Sequence, residues 1–436
     1  MINLSTLRLA YKSVPQQLLS PLTYIPYSLF CGDVYRKKYK ELNEILDVKT
    51  KEMQHGLLLD YVNESICYTK FYKDFAKSKG FSKVTCLEQV MEFPVISKDD
   101  VDSNLDWFLD SRYKNKSFSV STGGTTGRQT KLLMSNDAFS IEWAFVARYL
   151  SNCGVDINTK RLCLRGSDGI NSSALFGYNH LYKEMLISPF RLTENNIINA
   201  YGEILKYNAE WIHGYPSSVS EFARILKNLD LKIPSVKKVL LVSEKLNIEQ
   251  ELIIRDVFDC DVITFYGMTE RVIFAPNQGS SFIPNRLYGL TEEINGELVG
   301  TGFINKASRL IRYRTGDEAI VKKDDNDIVY EISALTGRWG KDFLVGNNDA
   351  KITMTALNIH SDVLSKILKY QFYQVEKGLC DLLLVPGESL NERDLFLIKK
   401  EFNDKVGDEL YIEVKVVDCI PLTKRGKHRF IVSELN

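Results

Sequence analysis

The sequence predicts an α/β protein with a large N-terminal domain of mixed and parallel sheets and a small α+β C-terminal domain. Its 436 residues exceed what one hydrophobic core usually serves, so more than one domain is expected. Residues 237–265 have the pattern strand, helix, strand, which is typical of a parallel sheet with flanking helices. Roughly the last hundred residues mix short strand and helix patterns, which suits a small separate domain.

The strand–helix–strand unit is defined by three local patterns. Lys237–Val242 is a short aliphatic and β-branched run, typical of a buried strand. Asn247 followed by Gln250 matches a capping box and predicts the start of a helix. Cys260–Phe265 predicts a second buried strand. Further upstream, residues 36–80 carry Leu, Tyr and Phe at helical spacing and predict helices.

The junction between the domains is predicted next to Arg338, with a large domain of residues 1–338 and a small domain of residues 339–436. Gly337 and Gly340 flank this arginine and would permit a bend there. The small domain is predicted to contain a helix from Ser361 to Leu368, a strand at 381–385, a helix around Leu395–Phe402 and a strand at Ile412–Val416.

Composition argues against several classes of protein. Lys+Arg and Asp+Glu each number 56, so the formal net charge is zero, whereas a nucleic-acid binder usually carries a basic excess. No apolar run approaches the ~20 residues that span a bilayer. The 8 scattered cysteines lack metal-ligand spacing and predict free thiols in a reducing cytoplasm. The apolar segment Pro21–Phe30 is expected to pack on the protein body or, alternatively, to lie on a membrane surface.

A segment rich in glycine and threonine, residues 119–131, is the first candidate for ligand binding. Gly123, Gly124 and Gly127 allow the backbone to curl so that successive N–H groups face one point, which is how a nest binds phosphate oxygens. No Gly-Lys-Ser/Thr closes the segment, so it is not a Walker A loop. Taken alone, it is also typical of a flexible turn.

Three later segments carry charged side chains suited to a nucleotide. Tyr266 ends the second predicted strand and can stack on a base, while Glu270 just after it can hold Mg²⁺ between phosphates. Asp317 in Tyr-Arg-Thr-Gly-Asp can accept both hydroxyls of a ribose. Lys427, in the basic segment 421–429, can reach a phosphate as a mobile point charge. The alternatives are a strand-end turn with a solvated glutamate, an Asx-type turn and a solvated basic tail.

In this order along the chain, the four segments resemble the motifs of the adenylate-forming superfamily, which includes acyl-CoA synthetases, luciferases and the adenylation domains of peptide synthetases. Thr69–Tyr72, Phe93–Asp100 and Gly214–Ser217 make the chain most similar to the phenylacetate–CoA ligase and capsular-polysaccharide (CapK-type) branch. The resemblance runs from about residue 50 to the end. It implies that the small domain is mobile and acts as a lid.

The resemblance also implies a site for ATP and Mg²⁺. The residues implied to hold the β- and γ-phosphates are Thr122, Gly123, Gly124, Thr125, Thr126 and Gly127. Those implied to contact adenine, ribose or the α-phosphate are Ser243, Glu244, Tyr266, Gly267, Thr269, Asp317 and Arg338. Glu270 is implied to bind Mg²⁺, and Lys427 to act in the first half-reaction. The family often has serine at the position of Gly123 and a proline near Gln129, so this loop departs from the pattern.

Three functions remain open on this resemblance. In the first, a small-molecule carboxylate attacks the α-phosphorus of ATP, pyrophosphate leaves, and the acyl-adenylate then passes to coenzyme A. In the second, the acyl group passes to an amine or hydroxyl in surface-polysaccharide or secondary-metabolite biosynthesis. In the third, the chain is a non-catalytic nucleotide-binding protein. The presence together of Glu270, Asp317, Arg338 and Lys427 disfavours this last reading.

The pocket for the acid is marked only by aromatic residues. The residues near the segments that line this pocket in relatives are Phe139, Trp143, Trp211, His213 and Tyr215. Their abundance favours an aryl or medium-sized apolar acid, although each is also typical of an ordinary core position.

Overall fold

The computed structural model describes residues 19–46, 49–121, 131–165, 174–335, 343–357, 363–387, 389–421 and 429–435. The α-helices are α1 (Tyr27–Phe30), α2 (Gly32–Glu44), α3 (Thr50–Tyr68), α4 (Lys70–Ser78), α5 (Leu87–Met91), α6 (Lys98–Ser103), α7 (Ala138–Asn152), α8 (Glu194–Tyr207), α9 (Pro216–Asn228), α10 (Ile248–Phe258), α11 (Met354–Leu357) and α12 (Glu392–Val406). Short 3₁₀ turns lie at Ser20–Tyr24, Leu105–Trp107, Ser111–Tyr113, Pro189–Arg191, Val363–Lys366 and Gly407–Glu409.

The strands fall into one large sheet and three smaller ones. The strands are β1 (Ser117–Ser121), β2 (Lys131–Ser135), β3 (Arg161–Leu164), β4 (Phe176–Asn179), β5 (Glu184–Ile187), β6 (Trp211–Gly214), β7 (Lys238–Leu241), β8 (Asp261–Gly267), β9 (Phe274–Gln278), β10 (Ser281–Phe282), β11 (Gly289–Ile294), β12 (Glu297–Gly302), β13 (Tyr313–Lys323), β14 (Val329–Leu335), β15 (Phe343–Val345), β16 (Lys351–Thr353), β17 (Ile367–Gln374), β18 (Leu379–Pro386), β19 (Tyr411–Val416) and β20 (Ile431–Ser433).

The large sheet has twelve strands in the order β11-β12-β13-β14-β10-β9-β8-β7-β6-β3-β5-β4. Its neighbours β5, β3, β6, β7 and β8 run parallel. The strands from β8 to β11 pair antiparallel along that side of the sheet. The predicted α/β class with mixed and parallel sheets is therefore confirmed.

Helices cover both faces of the parallel strands. Because alternate residues of a strand point to opposite faces, Ile212 and Val239 pack on one side with the apolar residues of α8, α9 and α10. Trp211 and Leu240 lie on the other side, against α2 and α7. The predicted strands around 237–242 and 260–265 correspond to β7 and β8, and the capping box of Asn247 and Gln250 opens α10 as expected.

The helices predicted over residues 36–80 are confirmed as α2, α3 and α4. A buried ion network attaches α3 to the rest of the large domain. The Arg309 guanidinium, 1% exposed at its side chain, lies 2.9 Å from Asp110 and 2.6 Å from Glu64 on α3. Arg112 donates to the same two carboxylates. Segments almost two hundred and fifty residues apart in sequence are joined by this network.

The apolar segment 21–30 packs only in part. Tyr24 is 88% exposed and Leu29 is 59% exposed, whereas the Thr23 hydroxyl lies 3.1 Å from His180 Nδ1. No helix in the described ranges combines the length and the apolar character needed to cross a bilayer.

The C-terminal region forms a four-stranded sheet in the order β19-β18-β17-β20, with α12 packed on it. The strands predicted at 381–385 and 412–416 and the helix around 395–402 are confirmed as β18, β19 and α12. The helix predicted from Ser361 to Leu368 is wrong. Val363–Lys366 is a single 3₁₀ turn, and the chain continues as β17, because pairing with β18 and β20 outweighs the helical spacing of a few apolar residues.

Strand β14 ends at Leu335 and β15 begins at Phe343. The predicted bend at Gly337, Arg338 and Gly340 falls between them, outside the described residues. The domain boundary at 338/339 therefore stays a prediction.

Candidate functional site

Side chains that follow the parallel strands meet at one edge of the large sheet. Arg165 follows β3, Tyr215 follows β6, Glu244 comes shortly after β7, and Glu270 comes shortly after β8. The carboxyl ends of parallel strands share an edge, and open α/β sheets bind their ligands there. Of the residues predicted from the sequence, Tyr215, Glu244 and Glu270 therefore lie at the edge where such folds bind ligands.

Tyr266 and Asp317 are in direct contact at this edge. The Tyr266 hydroxyl donates to Asp317 Oδ2 at 2.8 Å. Burial, followed by the Asp317 carboxylate, raises the pKa of Tyr266 well above 10, so the phenol keeps the proton that it donates. Tyr266 is only 4% exposed and belongs to the core of the large domain, so its stacking on a base stays a prediction.

A bulge in β13 presents Asp317 to the tyrosine. Between the pairs Val299–Arg314 and Glu297–Glu318, β13 has more residues than its partner β12, and Gly316 takes a left-handed φ of 75°. The extra residues bend the strand and redirect a side chain. Asp317 therefore reaches Tyr266 from within β13.

Glu270 is partly buried beside a second carboxylate, that of Asp317. Tyr313 donates to Glu270 Oε1 at 3.4 Å. Burial is the largest cause that raises the pKa of Glu270, and the Asp317 carboxylate adds to it, while the Lys98 ammonium at the start of α6 opposes it. Such surroundings favour a bound cation, because a cation would offset both the burial of the charge and the repulsion between the carboxylates.

Glu244 connects two parts of the chain. Ser243 before it has a left-handed φ of 68°. Glu244 Oε2 accepts from the backbone N–H of Ser217 at 3.0 Å, and Oε1 accepts from the Thr353 hydroxyl on β16 at 2.7 Å. The segment expected beside adenine is therefore bonded to a strand beyond residue 343.

The structure brings together the aromatic residues predicted for the acid. Trp211 and His213 stack with ring centroids 6.0 Å apart on one face of β6, and Tyr215 follows on the same face. On α7 above this face, the Phe139 and Trp143 rings are also 6.0 Å apart. Burial raises the pKa of Tyr215 to about 12.

Sequence reasoning missed the charged residues beneath these rings. Arg161 begins β3 and is 0% exposed, and Glu184, which begins β5, is 4% exposed. Arg161 Nη2 lies 2.8 Å from Glu184 Oε1. The signal was present in Arg161-Leu-Cys-Leu-Arg165, because a strand with arginine at both ends places both on one face.

The remaining predicted residues divide into two groups. Gly267 ends β8 and Thr269 follows it, both exposed at the sheet edge. The phosphate-loop residues Thr122, Gly123, Gly124, Thr125, Thr126 and Gly127, together with Arg338 and Lys427, lie outside the described residues. Metal binding by the protein alone finds no support, since no group of three His, Cys, Asp or Glu suited to an ion occurs in the described part of the chain.

Comparison with known proteins gives matches in family, sequence and structure. The CapK C-terminal domain family matches residues 344–434. Protein CapK of Staphylococcus aureus is 23% identical over 420 residues, which cover 92% of this chain and 91% of that protein.

Two solved structures of 2-hydroxyisobutyryl-CoA ligase share the fold. The ligase with 2-HIB-AMP and CoA in the thioesterification state superposes with a TM-score of 0.51 at 15% identity, over 89% of this chain and 90% of that chain. The same ligase in the postadenylation state with 2-HIB-AMP superposes with a TM-score of 0.50 at 15% identity, over 87% of this chain and 88% of that chain. At this identity, the likeness is one of fold.

Proposed function

We propose that this chain is a CapK-like member of the adenylate-forming superfamily and uses ATP to activate a carboxylic acid. A carboxylate oxygen of the acid attacks the α-phosphorus of ATP, a new O–P bond forms, and the bond to pyrophosphate breaks. The acyl group of the adenylate then passes to an acceptor nucleophile, and AMP leaves.

The observation that carries this proposal is the hydrogen bond from Tyr266 to Asp317, with Glu270 and Tyr313 beside it. Residues from β8 and from the β13 bulge form one acidic group at the sheet edge. The hydrogen-bonded pair, Tyr266 and Asp317, is 51 positions apart in the sequence. An aspartate held in this way can accept the hydroxyls of a ribose. Tyr266, Ser243 and Glu244 would flank the adenine, with Gly267 at the strand end and Thr269 near the α-phosphate.

Glu270 would hold Mg²⁺. Its surroundings fit the ion, because a partly buried carboxylate next to a second acid has a raised pKa that a cation would relieve. Mg²⁺ usually takes one or two carboxylates and fills its other positions with phosphate oxygens and water. When bound, it would neutralise phosphate charge. The protein's part is to hold the Glu270 carboxylate at that position.

The basic and glycine-rich segments would supply the remaining contacts to phosphate. Thr122–Gly127 would hold the leaving pyrophosphate through backbone N–H groups. Lys427 would stabilise the charge that builds up as the two anions approach, and Arg338 would contact ribose or phosphate.

Coenzyme A is the first candidate acceptor, and an amine or hydroxyl is the alternative. The thiol is supported by 2-hydroxyisobutyryl-CoA ligase, whose structure holds both 2-HIB-AMP and CoA. The likeness to CapK supports the alternative, since the CapK-type branch is associated with capsular polysaccharide. The two acceptors follow the same adenylation step.

The test is acid-dependent exchange of labelled pyrophosphate into ATP, with a panel of carboxylic acids. We expect at least one acid to support exchange, and thioester to form when coenzyme A is added with that acid. Exchange without thioester would direct the search to amine and hydroxyl acceptors. ATP binding without exchange for any acid would overturn the proposal in favour of a nucleotide-binding protein.

A further inference from the structure

Three buried nitrogen atoms near the predicted acid site have no hydrogen-bond partner within the described part of the chain. They are Arg161 Nη1, Trp211 Nε1 and His213 Nδ1. These residues are 0%, 1% and 4% exposed. An unsatisfied polar atom at such depth destabilises the fold, so three of them in one place indicate a missing occupant.

The three side chains form one layer, which we call the buried donor layer. β3 and β6 are parallel neighbours, and their register pairs Arg161 with Trp211 and Cys163 with His213. The Arg161 guanidinium carbon is 4.8 Å from the centre of the Trp211 ring. Trp211 stacks on His213. One group bound there would therefore meet all three side chains.

The layer carries more positive than negative charge. Arg161 Nε and Nη2 both donate to Glu184 Oε1, at 3.0 and 2.8 Å, and Arg165 Nη2 lies 3.8 Å from the same oxygen. Two guanidinium groups thus share one carboxylate. Burial, aided by both arginines, lowers the pKa of His213 well below 6.5, so the imidazole adds no charge. The Arg165 side chain is 33% exposed, so the excess positive charge is partly solvated, and an anion bound beside both guanidinium groups would take the place of that solvent.

The layer connects to the sheet edge along one face. Trp211, His213 and Tyr215 are alternate residues, as are Arg161, Cys163 and Arg165, so each set lines the same side of its strand. From Tyr215 at the edge to Trp211, the chain runs about 13 Å at ~3.3 Å per residue. A molecule whose reacting carboxylate lies at the edge would reach the layer with its far end.

We propose that the buried donor layer binds a second carboxylate of the acid, so that the substrate is a dicarboxylic acid of extended shape. This inference rests on the proposed function. A carboxylate only accepts hydrogen bonds, which matches a set of unpaired N–H groups, and its charge offsets the excess guanidinium. It differs from the apolar acid that the aromatic residues alone favour.

The experiment compares diacids with monoacids of the same shape. Pyrophosphate exchange is measured with saturated α,ω-diacids of increasing length and, for each, the monoacid with a methyl group in place of the far carboxylate. We expect kcat/KM for the best diacid to exceed that of its monoacid by about tenfold or more. Higher kcat/KM for the monoacids would overturn the inference.

Trp211→Phe removes one donor and keeps an aromatic ring. We expect it to raise KM for the diacid by about five- to tenfold with little change in kcat, and to raise KM for the monoacid by a clearly smaller factor. Trp107→Phe, at a tryptophan that is 40% exposed, is the matched control and should change neither. If Trp211→Phe raised KM equally for both acids and also lowered the melting temperature, the unpaired nitrogen would be bound to water and not to the substrate. That result would overturn the inference.

Equilibrium dialysis of labelled diacid keeps the test independent of turnover, and circular dichroism checks that each variant is folded. Exchange with monoacids but with no diacid would overturn this inference and leave the proposed function standing. If neither diacids nor monoacids supported exchange while the protein still bound ATP, both the proposed function and this inference would be overturned.

Discussion

The Tyr266 hydroxyl lies 2.8 Å from Asp317 Oδ2 and holds that carboxylate in place. The contact joins β8 to the bulge of β13. It fixes the position of the acid that we assign to ribose, so the tyrosine would act on nucleotide affinity through its hydroxyl.

Tyr266→Phe tests this relationship. A hydrogen bond to a charged group is worth about 1.5–3 kcal/mol, so we expect KM for ATP to rise about tenfold or more while kcat changes little. Tyr201→Phe is the matched control, because its hydroxyl donates to the backbone of Lys232 away from the sheet edge. Unchanged ATP affinity in Tyr266→Phe would contradict the positioning role.

Glu270→Gln tests the metal assignment. Removing the charge weakens binding of Mg²⁺, so we expect the Mg²⁺ concentration for half-maximal exchange to rise about tenfold or more. Glu331→Gln, at a glutamate paired with Lys322 on the sheet surface, should leave the titration unchanged. An unchanged Mg²⁺ titration in Glu270→Gln would remove this glutamate from the site.

The same variant is expected to stabilise the ligand-free protein. Burial raises the pKa of Glu270 above 4.5, so the native state keeps a proton that the unfolded chain has already lost. Stability linked to this proton is fully present below the unfolded pKa and is lost as pH rises through the folded pKa. Glutamine is never charged, so we expect the melting temperature of the variant to exceed that of the wild type near neutral pH and to equal it in acid. Calorimetry across this range checks it, and a lower melting temperature at neutral pH would contradict it.

Lys427→Ala tests the proposed role of the C-terminal segment. Loss of a charge that acts in the transition state should lower pyrophosphate exchange about 10²–10³-fold and leave ATP binding nearly intact. Lys424→Ala in the same segment is the control for a general loss of basic charge. Exchange at the wild-type rate in Lys427→Ala would show that this lysine has another role.

Arg309→Met is expected to destabilise the large domain strongly. Asp110 is 0% exposed, and the variant removes the buried half of its pairing, which should lower the free energy of unfolding by about 3–5 kcal/mol. Arg112→Met removes a partner that is 35% exposed and should lower it by less than about 1 kcal/mol. Urea unfolding of both variants checks the difference, and equal losses would contradict it.

Local patterns predicted those elements whose signals lie within a few residues. The capping box of Asn247 and Gln250 is a contact between neighbours in sequence, and it opens α10 as expected. The helix predicted from Ser361 failed because a strand that pairs on both sides, as β17 does, is decided by residues far away in the chain. A short apolar run in the sequence does not by itself distinguish a buried strand from a buried helix.

The geometry of the predicted site residues could not be derived from the sequence. Tyr266 and Asp317 were each identified from their motifs, yet their hydrogen bond depends on how β13 bulges against β12. The pairing of Arg161 with Glu184 depends on the register of β3 with β5. Strand register is fixed by tertiary packing, so neither contact can be read from the linear order of residues.

The Glu244 side chain joins the start of α9 to β16. Its carboxylate accepts from Ser217 behind β6 and from Thr353 on β16. A purine that drew Glu244 away from Thr353 would weaken the attachment of β16. Because coupling between two binding events is reciprocal, the attachment of β16 would weaken purine binding by the same factor. Purine binding and the attachment of β16 would then compete for the same carboxylate.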